Sequence, residues 1–320
     1  MNYYIGVDIG GTKIAYGLFD SNRQLLAKKK TPSDDALGGE EYFGRVAEEL
    51  QHFVKNEKIS FTDIKGIGIG IAGFVDFDQG RLVRAASLPK LIDFWVLNFL
   101  KEKLGEDVKI VLDNDCHCGA LAEYRRGAGR SYKHMLYCPI STGISSGIII
   151  DGKLFRGSDG ASGESGHMLT AVEGPLKISC GCGNEGCFNS LCSGKNIAIH
   201  IRRWISQGEE TIMTELAGGP ENITAVHINQ AYDLGDAMAK KAVEQMAKYM
   251  AIWLFDVYSL LNINCFVFSG GLLKMGDKLL NRVKNLFTEY QTNGFPVYFY
   301  ETELGVDSGL IGAVELLFSE

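Results

Sequence analysis

The chain has 320 residues, of which 46% are hydrophobic, and this is enough apolar material to bury the cores of two lobes. It carries 32 basic and 39 acidic residues, and the resulting net charge of -7 argues against non-specific binding to nucleic acid or to an anionic membrane surface. Its apolar runs fall short of the ~20 residues that a bilayer span needs, and its first residues indicate a strand instead of a signal sequence. We therefore expect a cytoplasmic protein that binds small soluble ligands, with no nucleic acid and no membrane partner.

The first residues predict a meander of three strands separated by turn-forming loops, at 3–9, 14–19 and 24–30. The first of these loops and the strand end before it carry Asp8, Gly10, Gly11, Thr12 and Lys13. Glycines let backbone N–H groups approach a phosphate, while the threonine hydroxyl and the lysine ammonium add a donor and a cation. The aspartate can hold Mg²⁺ through its water shell. An ordinary hairpin turn is the alternative.

A helix and two further strands follow the meander. Residues 40–56 place apolar side chains on one helical face, which predicts a helix packed on a core through Phe43, Val46, Leu50, Phe53 and Val54. Apolar runs at 66–72 and 108–112 predict strands. Short β-rich runs separated by helical patterns indicate layers of an α/β protein.

Asn114 and Asp115 end the second of these strands and open a helical segment over residues 116–126. The helix dipole stabilises the ionised form of a carboxylate at a helix N-terminus. An ionised aspartate can take a proton from an alcohol as that alcohol attacks phosphorus. Plain capping of the helix is the alternative, which the spacing alone favours.

The plan of strand, small-residue loop, strand, turn and strand recurs in the middle of the chain. Its strands are predicted at 135–140, 146–150 and 153–155, and its loop contains Ser141, Thr142 and Gly143. The recurrence indicates an internal duplication. Two such loops, facing each other, would clamp one polyphosphate from both sides.

Three of the eight cysteines crowd together at Cys180, Cys182 and Cys187, shortly after His167. One imidazole and three thiolates make a closed tetrahedral site with no position left for water, which is typical of structural zinc. A redox pair is the alternative, but the spacing does not match C-x-x-C. The remaining cysteines lie in apolar segments and are expected to be free buried thiols: Cys116, Cys118, Cys138, Cys192 and Cys265.

The last third of the chain predicts long helices and one more strand. Residues 230–261 form one long helical stretch or two abutting helices, because apolar side chains recur at three- and four-residue steps, at Ala231, Leu234, Met238, Ala242, Met246 and Met250. This stripe is expected to lie in the core. A strand is predicted at 265–268, and it runs into Gly270 and Gly271.

Together these motifs, in this order and spacing, resemble the ROK family of sugar kinases, bacterial relatives of hexokinase among the actin-like ATPases. The match runs from Asp8 to the segment 309–313, which is nearly the whole chain. The resemblance implies an α/β, two-lobed actin-like ATPase (ribonuclease H-like) fold with a duplicated strand meander and a cleft between the lobes. Residues 1–114, with a helix of about 306–320 packed back on them, would form the N-terminal lobe, and residues 115–305 the C-terminal lobe. Repressors of the family carry a DNA-binding segment before the phosphate loop, and a loop that begins at residue 8 favours the kinase branch.

The resemblance also implies an activity. The chain would act as a homodimer that transfers the γ-phosphoryl group of ATP, with Mg²⁺, to the 6-hydroxyl of a hexose, and Asp115 would be the general base. The sugar would be bound by Gly73, Asn114, Asp115, Glu164, His167 and Asn189. ATP and Mg²⁺ would be bound by Asp8, Gly10, Gly11, Thr12, Lys13, Thr142, Gly143, Gly270 and Gly271. Structural Zn²⁺ would be bound by His167, Cys180, Cys182 and Cys187.

Three positions depart from the family pattern and leave the sugar open. The second loop carries serines where glycines are usual, His117 replaces a second asparagine, and Asn189 replaces the last sugar-binding glutamate. Allose, N-acetylmannosamine, fructose and a β-glucoside are therefore alternatives to glucose. A non-catalytic sugar sensor of the same fold is the alternative from another class. Retention of the acidic and basic site residues argues against it.

Overall fold

The computed structural model of the chain describes residues 2–171, 173–174 and 176–319. The chain forms two compact units. Unit 1 comprises Met1–Met135, Gly147–Ser162 and Thr302–Glu320, and unit 2 comprises Leu136–Ser146 and Gly163–Glu301. The lobe boundary expected between residues 114 and 115 does not coincide with any boundary of these two units. The division into lobes at that point stays a prediction.

The described residues contain thirteen strands and ten α-helices. The strands are β1 (Tyr3–Ile9), β2 (Lys13–Phe19), β3 (Leu25–Pro32), β4 (Ile64–Ile71), β5 (Phe74–Asp76), β6 (Arg81–Arg84), β7 (Ile92–Phe94), β8 (Lys109–Asn114), β9 (Met135–Pro139), β10 (Gly147–Ile150), β11 (Lys153–Phe155), β12 (Cys265–Ser269) and β13 (Tyr298–Glu301). The helices are α1 (Gly39–Asn56), α2 (Val96–Leu104), α3 (Asp115–Arg126), α4 (Phe188–Cys192), α5 (Ile197–Ser206), α6 (Met213–Ala217), α7 (Ala225–Asp233), α8 (Ala237–Leu261), α9 (Asp277–Tyr290) and α10 (Ser308–Leu316). Each strand and helix predicted from the sequence is confirmed to within two residues at its ends, apart from the stretch at 230–261 and the helix expected at about 306–320, which ends at Leu316.

Unit 1 is built on a five-stranded sheet in the order β3-β2-β1-β4-β8. The predicted meander is its antiparallel part, whereas β1, β4 and β8 run parallel. In the parallel register Asp8 pairs with Gly70, and Ile71 pairs with Asn114. Because parallel strands end at the same edge, the functional candidates on these three strands fall together there.

One face of this sheet packs on α1 and α2, and the other on α10 and α3. The apolar stripe predicted at 40–56 is buried in the first core. On the opposite face, α10 approaches so closely that a Cβ on Gly6 would lie 2.3 Å from the carbonyl oxygen of Leu310, and one on Gly68 1.7 Å from that of Ala313. The two strand glycines are therefore required for the helix to reach the sheet.

Two smaller β structures complete unit 1. Strands β5, β6 and β7 form a three-stranded antiparallel sheet. Strands β10 and β11 form the predicted hairpin, whose turn has positive φ at Asp151 (51°) and Gly152 (76°). The hairpin packs on α3, because a Cβ on Gly147 would lie 2.5 Å from the Cβ of Ala120.

Unit 2 contains parallel pairs of β12 with β9 and with β13, and helices α4 to α9. The stretch predicted at 230–261 is two helices, which part at Gly235 (φ 87°). Asp236 then caps α8 by accepting a hydrogen bond from the Ala239 N–H at 2.7 Å. Leu234 was expected in the core but is 68% exposed, because it follows the last turn of α7. Within the residues described, no helix combines the length and the apolarity needed to cross a membrane.

Candidate active site

The loop after β1 is a tight turn, closed by a hydrogen bond from the Gly10 N–H to the Lys13 carbonyl at 3.0 Å. Gly11 lies against Ser87, since a Cβ on Gly11 would come within 2.5 Å of the Ser87 Cβ. Thr12 and Lys13 are exposed. The loop therefore offers backbone amides, a hydroxyl and an ammonium group to a ligand, as the sequence predicts for a phosphate loop.

Asp8, just before this loop, is a partly buried carboxylate. Burial, and next the charge of Asp115, raise the pKa of Asp8 to about 6, against the opposing charges of Lys13 and Lys30. The carboxylate touches the first turn of α10, because a Cβ on Gly309 would lie 2.5 Å from its Oδ2. Two carboxylates that disfavour each other's ionisation form a site that a divalent cation would stabilise.

Asn114 is the N-cap of α3. Its Oδ1 accepts hydrogen bonds from the Cys116 and His117 N–H groups at 2.8 and 3.4 Å. Its Nδ2 donates to the Gly73 carbonyl at 2.9 Å, just after β4. Asn114 therefore caps the helix, as the alternative interpretation expected. Its hydrogen bond to the Gly73 carbonyl also connects two of the predicted sugar-binding residues.

Asp115 is the first residue of α3, and its Oδ1 accepts a hydrogen bond from the Cys116 N–H at 2.9 Å. Burial raises the pKa of Asp115, and the hydrogen bonds from Cys116 oppose this without cancelling it. Desolvation is thus a larger effect on this carboxylate than the hydrogen bonds at the helix N-terminus, and the role of Asp115 as an ionised base stays a prediction. A carboxylate with a raised pKa is better matched to general-base work near neutral pH than an ordinary one.

A buried ionic network lies beneath this helix and was not predicted from the sequence. His117 Nδ1 is 2.7 Å from Asp113 Oδ1, and its Nε2 is 3.2 Å from the Ser162 carbonyl oxygen. Arg156 Nε donates to Asp113 Oδ2 at 2.7 Å, and its guanidinium lies 3.7 Å from the centre of the Phe77 ring. Burial raises the pKa of Asp113, but His117 and Arg156 outweigh it and hold that pKa below its usual value. His117 therefore anchors the start of α3 instead of standing free in the sugar site.

The burial of the cysteines agrees with the prediction except at Cys116. The cysteines form no disulfide bond within the described residues, and four of the five outside the cluster, which were expected to be buried thiols, are buried. Cys116, in the first turn of α3, is only partly buried.

The second predicted phosphate loop, in unit 2, is a tight turn in which the Ser141 N–H donates to the Gly143 carbonyl at 2.8 Å. Ile140 and Ile144 form an isolated β-bridge across it. Gly270, which follows β12, has φ 99°, and a Cβ there would lie 2.5 Å from the Ile140 carbonyl oxygen. Two of the predicted glycine segments thus meet at this loop.

A cavity of about 500 Å³ opens beside the second loop, entirely within unit 2. Of the predicted nucleotide positions, Thr142 and Gly271 line it. Three cations that the sequence reasoning missed also line it: Lys195, Arg202 and Lys274. They come from α5, the segment before it and the turn after β12. Only the fold brings these elements together, so no local motif marks them.

The four predicted metal ligands converge in unit 2. The ligand atoms of His167, Cys180, Cys182 and Cys187 all lie within 4.8 Å of one another. His167 Nδ1 is 3.4 Å from Cys180 Sγ, and Cys182 Sγ is 3.7 Å from Cys187 Sγ. A tetrahedral zinc with ordinary bond lengths would separate two thiolates by ~3.8 Å and a thiolate from an imidazole nitrogen by ~3.6 Å. The residues therefore fit a closed four-coordinate site.

Glu164 lies on the other side of the same imidazole. Its Oε2 is 3.7 Å from His167 Nε2, and its carbonyl accepts the His167 N–H at 2.9 Å. With Nδ1 turned to the thiolates, Nε2 is the atom that faces away from them. The remaining predicted sugar position, Asn189, uses its side chain to contact Ile144 and Cys180.

These features, a duplicated strand plan with polar loops at the strand ends, define an α/β protein of the actin-like ATPase fold. The sequence matches the ROK family over residues 4–320, and the chain belongs to that family. It is 31% identical to a glucokinase of Halalkalibacterium halodurans, over 97% of this chain and 93% of that protein. It is 30% identical to an N-acetyl-D-glucosamine kinase of Yersinia enterocolitica, over 84% of each. Its fold is similar to that of a ROK family glucokinase from Streptomyces griseus solved in complex with glucose and AMPPNP, with 28% identity, a TM-score of 0.80 and coverage of 98% of this chain and 99% of that one.

Proposed function

We propose that this chain is an ATP-dependent hexose kinase that transfers the γ-phosphoryl group to a sugar hydroxyl, the 6-hydroxyl in a hexose. The observation that carries the proposal is Asp115, a carboxylate of raised pKa held at the strand edge next to Asn114, the N-cap residue of α3. The kinases of glucose and N-acetylglucosamine among the relatives support the same reaction class. So does the AMPPNP and glucose bound to the Streptomyces griseus protein.

The base acts on the sugar hydroxyl. In its ionised form Asp115 accepts the hydroxyl proton as the oxygen attacks the γ-phosphorus, and ADP leaves with the electron pair of the broken P–O bond. Asn114 is held in place by its hydrogen bonds with the Cys116 N–H and with the Gly73 carbonyl, so it can orient the sugar without moving. Glu164 and His167 Nε2 of unit 2 are proposed to bind further hydroxyls of the same sugar.

The nucleotide is proposed to use both phosphate loops. Thr12, Lys13 and the amides of the first loop would bind phosphate oxygens, as would Thr142 and Gly143 of the second. Mg²⁺, held near Asp8, would neutralise charge on the phosphates. The adenosine would enter the cavity lined by Gly271, where the neighbouring cations offset the charge of the phosphates.

The metal cluster is proposed to hold zinc in a structural role. With four protein ligands, the site leaves no open position for a substrate. The free thiols are consistent with a reducing, cytoplasmic compartment, which belongs to the proposal together with a homodimeric state.

The test is a coupled assay of ADP release over a panel of sugars: glucose, N-acetylglucosamine, N-acetylmannosamine, allose, fructose and a β-glucoside. We expect sugar-dependent ADP release with at least one of them. A protein that binds sugars from the panel in calorimetry but releases no ADP with any of them would be a sensor and not a kinase.

A further inference from the structure

Asn189 joins the metal cluster to the second phosphate loop. Its Oδ1 accepts a hydrogen bond from the Ile144 N–H at 3.0 Å, and its Nδ2 donates to Cys180 Sγ at 3.5 Å. Gly143 makes room for this contact, because a Cβ there would already lie 3.3 Å from Oδ1. One side chain thus spans from a metal ligand to the backbone of the loop.

The two hydrogen bonds of the Asn189 side chain require an amide. The Ile144 N–H needs an acceptor, whereas a metal-bound thiolate can only accept. An ionised carboxylate at position 189 would meet the first need, but it would place a negative charge against Cys180 instead of a donor. Asn189 therefore suits a bridge between the two groups, where a glutamate would not.

The segment around Asn189 holds the same loop through its backbone. Helix α4, which carries Asn189, begins directly after the ligand Cys187. Beyond it, the Gly194 N–H donates to the Ser141 carbonyl at 2.8 Å, and the Lys195 N–H donates to the Thr142 carbonyl at 3.2 Å. The loop is therefore supported by the stretch of chain that follows the cluster, and the Asn189 side chain hydrogen-bonds to both the loop and the cluster.

We propose that Asn189 is a positioning residue that transmits the state of the metal cluster to the second phosphate loop, so that losing either the metal or the amide weakens nucleotide binding. Without a metal, Cys180 is no longer held in place, and the hydrogen bond that keeps Asn189 against Ile144 loses its support. The inference rests on the proposed function, because it takes this loop to bind nucleotide phosphate. It adds that the metal cluster affects nucleotide binding, in addition to the sugar binding proposed for His167.

The experiment measures AMPPNP binding to the full chain by calorimetry, with the metal present and after chelation, and with metal content measured in each sample. In the wild type we expect metal removal to weaken binding by about tenfold, the scale of one or two hydrogen bonds. Asn189→Leu with its metal in place should bind AMPPNP about tenfold more weakly than the wild type. Chelation should then weaken its AMPPNP binding by less than about twofold, because the side-chain contact between the cluster and the loop is already lost. Asn22→Leu, at an exposed turn in unit 1, is the matched control and should behave as the wild type.

Asn189→Asp separates the two halves of the bridge, because it keeps an acceptor for Ile144 and removes the donor to Cys180. Its AMPPNP affinity should no longer respond to the metal. Hydrogen exchange at the Ile144 amide is a second readout that needs neither nucleotide nor variant, and it should speed up on chelation of the wild type. An Asn189→Leu protein that binds AMPPNP as well as the wild type, an equal cost of chelation in both, or unchanged exchange at Ile144 would overturn the inference. A wild type that binds no AMPPNP would instead count against the proposed function, and the exchange measurement would still decide the link.

Discussion

At the scale of single residues, Asp115 is the proposed general base. Asp115→Asn keeps the shape and the hydrogen bond from Cys116 but cannot accept a proton, so we expect kcat to fall by ~10² to 10⁴ while the sugar dissociation constant changes little. Coupled ADP release and sugar calorimetry measure the two quantities. Asp107→Asn, at an exposed position of unit 1, is the control. Turnover within a few-fold of the wild type would show that another group is the base.

Asp8 provides a prediction about stability and pH. Its pKa is raised from 3.8 to about 6, so the folded protein binds this proton more tightly than the unfolded chain does. Ionising Asp8 therefore costs stability above about pH 6, and the cost fades as the pH falls towards the unfolded value. Asp8→Asn should raise the free energy of unfolding near pH 7 by ~1 kcal/mol, less than the whole shift because solvent screens the group, while lowering activity.

Urea unfolding without Mg²⁺ or nucleotide, from about pH 4 to about pH 8, checks this expectation. The gain in the Asn variant should be full near pH 7 and nearly absent near pH 4. A gain that is the same at both ends would mean that the effect does not arise from ionisation of Asp8. Trading stability for an ionisable group is typical of functional sites.

The positions of the candidate residues were predictable where the sequence signal is local. The metal ligands follow from donor type and spacing, and Asn114 and Asp115 follow from their place at a strand end. The contact of His117 with Asp113 joins residues four apart in the chain, but the network also needs Arg156 and the Ser162 carbonyl, which only the fold brings near. The exposure of Leu234 was missed because periodicity does not show where a helix ends.

At the scale of elements, the ends of the strands were predictable, because apolar runs alternate clearly with turn residues along this chain. Strands β5 and β7 have only three residues each, which is too short for a recognisable period, whereas the equally short β11 was predicted from the duplicated strand plan. Neither the parallel pairing of β12 with β13 nor the docking of α10 on Gly6 and Gly68 leaves a local sequence signal. Such contacts join residues far apart in the chain.

The cluster of His167, Cys180, Cys182 and Cys187 is proposed to fold around a zinc ion. We expect the purified chain to hold one zinc, and Cys182→Ser to lose it, because three ligands bind far more weakly than a closed set of four. Metal analysis by mass spectrometry measures this. Cys138→Ala, which removes a buried thiol of unit 2 outside the cluster, should keep its metal. Full metal content in Cys182→Ser would remove this residue from the ligand set.

At the scale of the whole molecule, the proposed machinery is divided between the two units. Asp8 and Asp115 belong to unit 1, whereas Glu164, His167 and the second phosphate loop belong to unit 2. In-line transfer needs the attacking hydroxyl and the γ-phosphate within about 3.5 Å of each other, in a place from which water is excluded. The proposed function therefore requires groups from both units to act on one pair of atoms during turnover.

We accordingly expect the two units to change their relative arrangement when sugar and nucleotide bind together, as the cleft implied by the family resemblance closes. Small-angle scattering of the full chain with saturating sugar and AMPPNP should give a smaller radius of gyration than the unliganded chain. Because the expectation attributes closure to the pair of ligands, each ligand alone should produce less of the change. Asp115→Asn, which removes the proton acceptor and keeps the hydrogen bond of Asp115 with Cys116, should close as the wild type does. Profiles that coincide with and without both ligands, at concentrations where calorimetry shows both bound, would mean that turnover proceeds without such a movement.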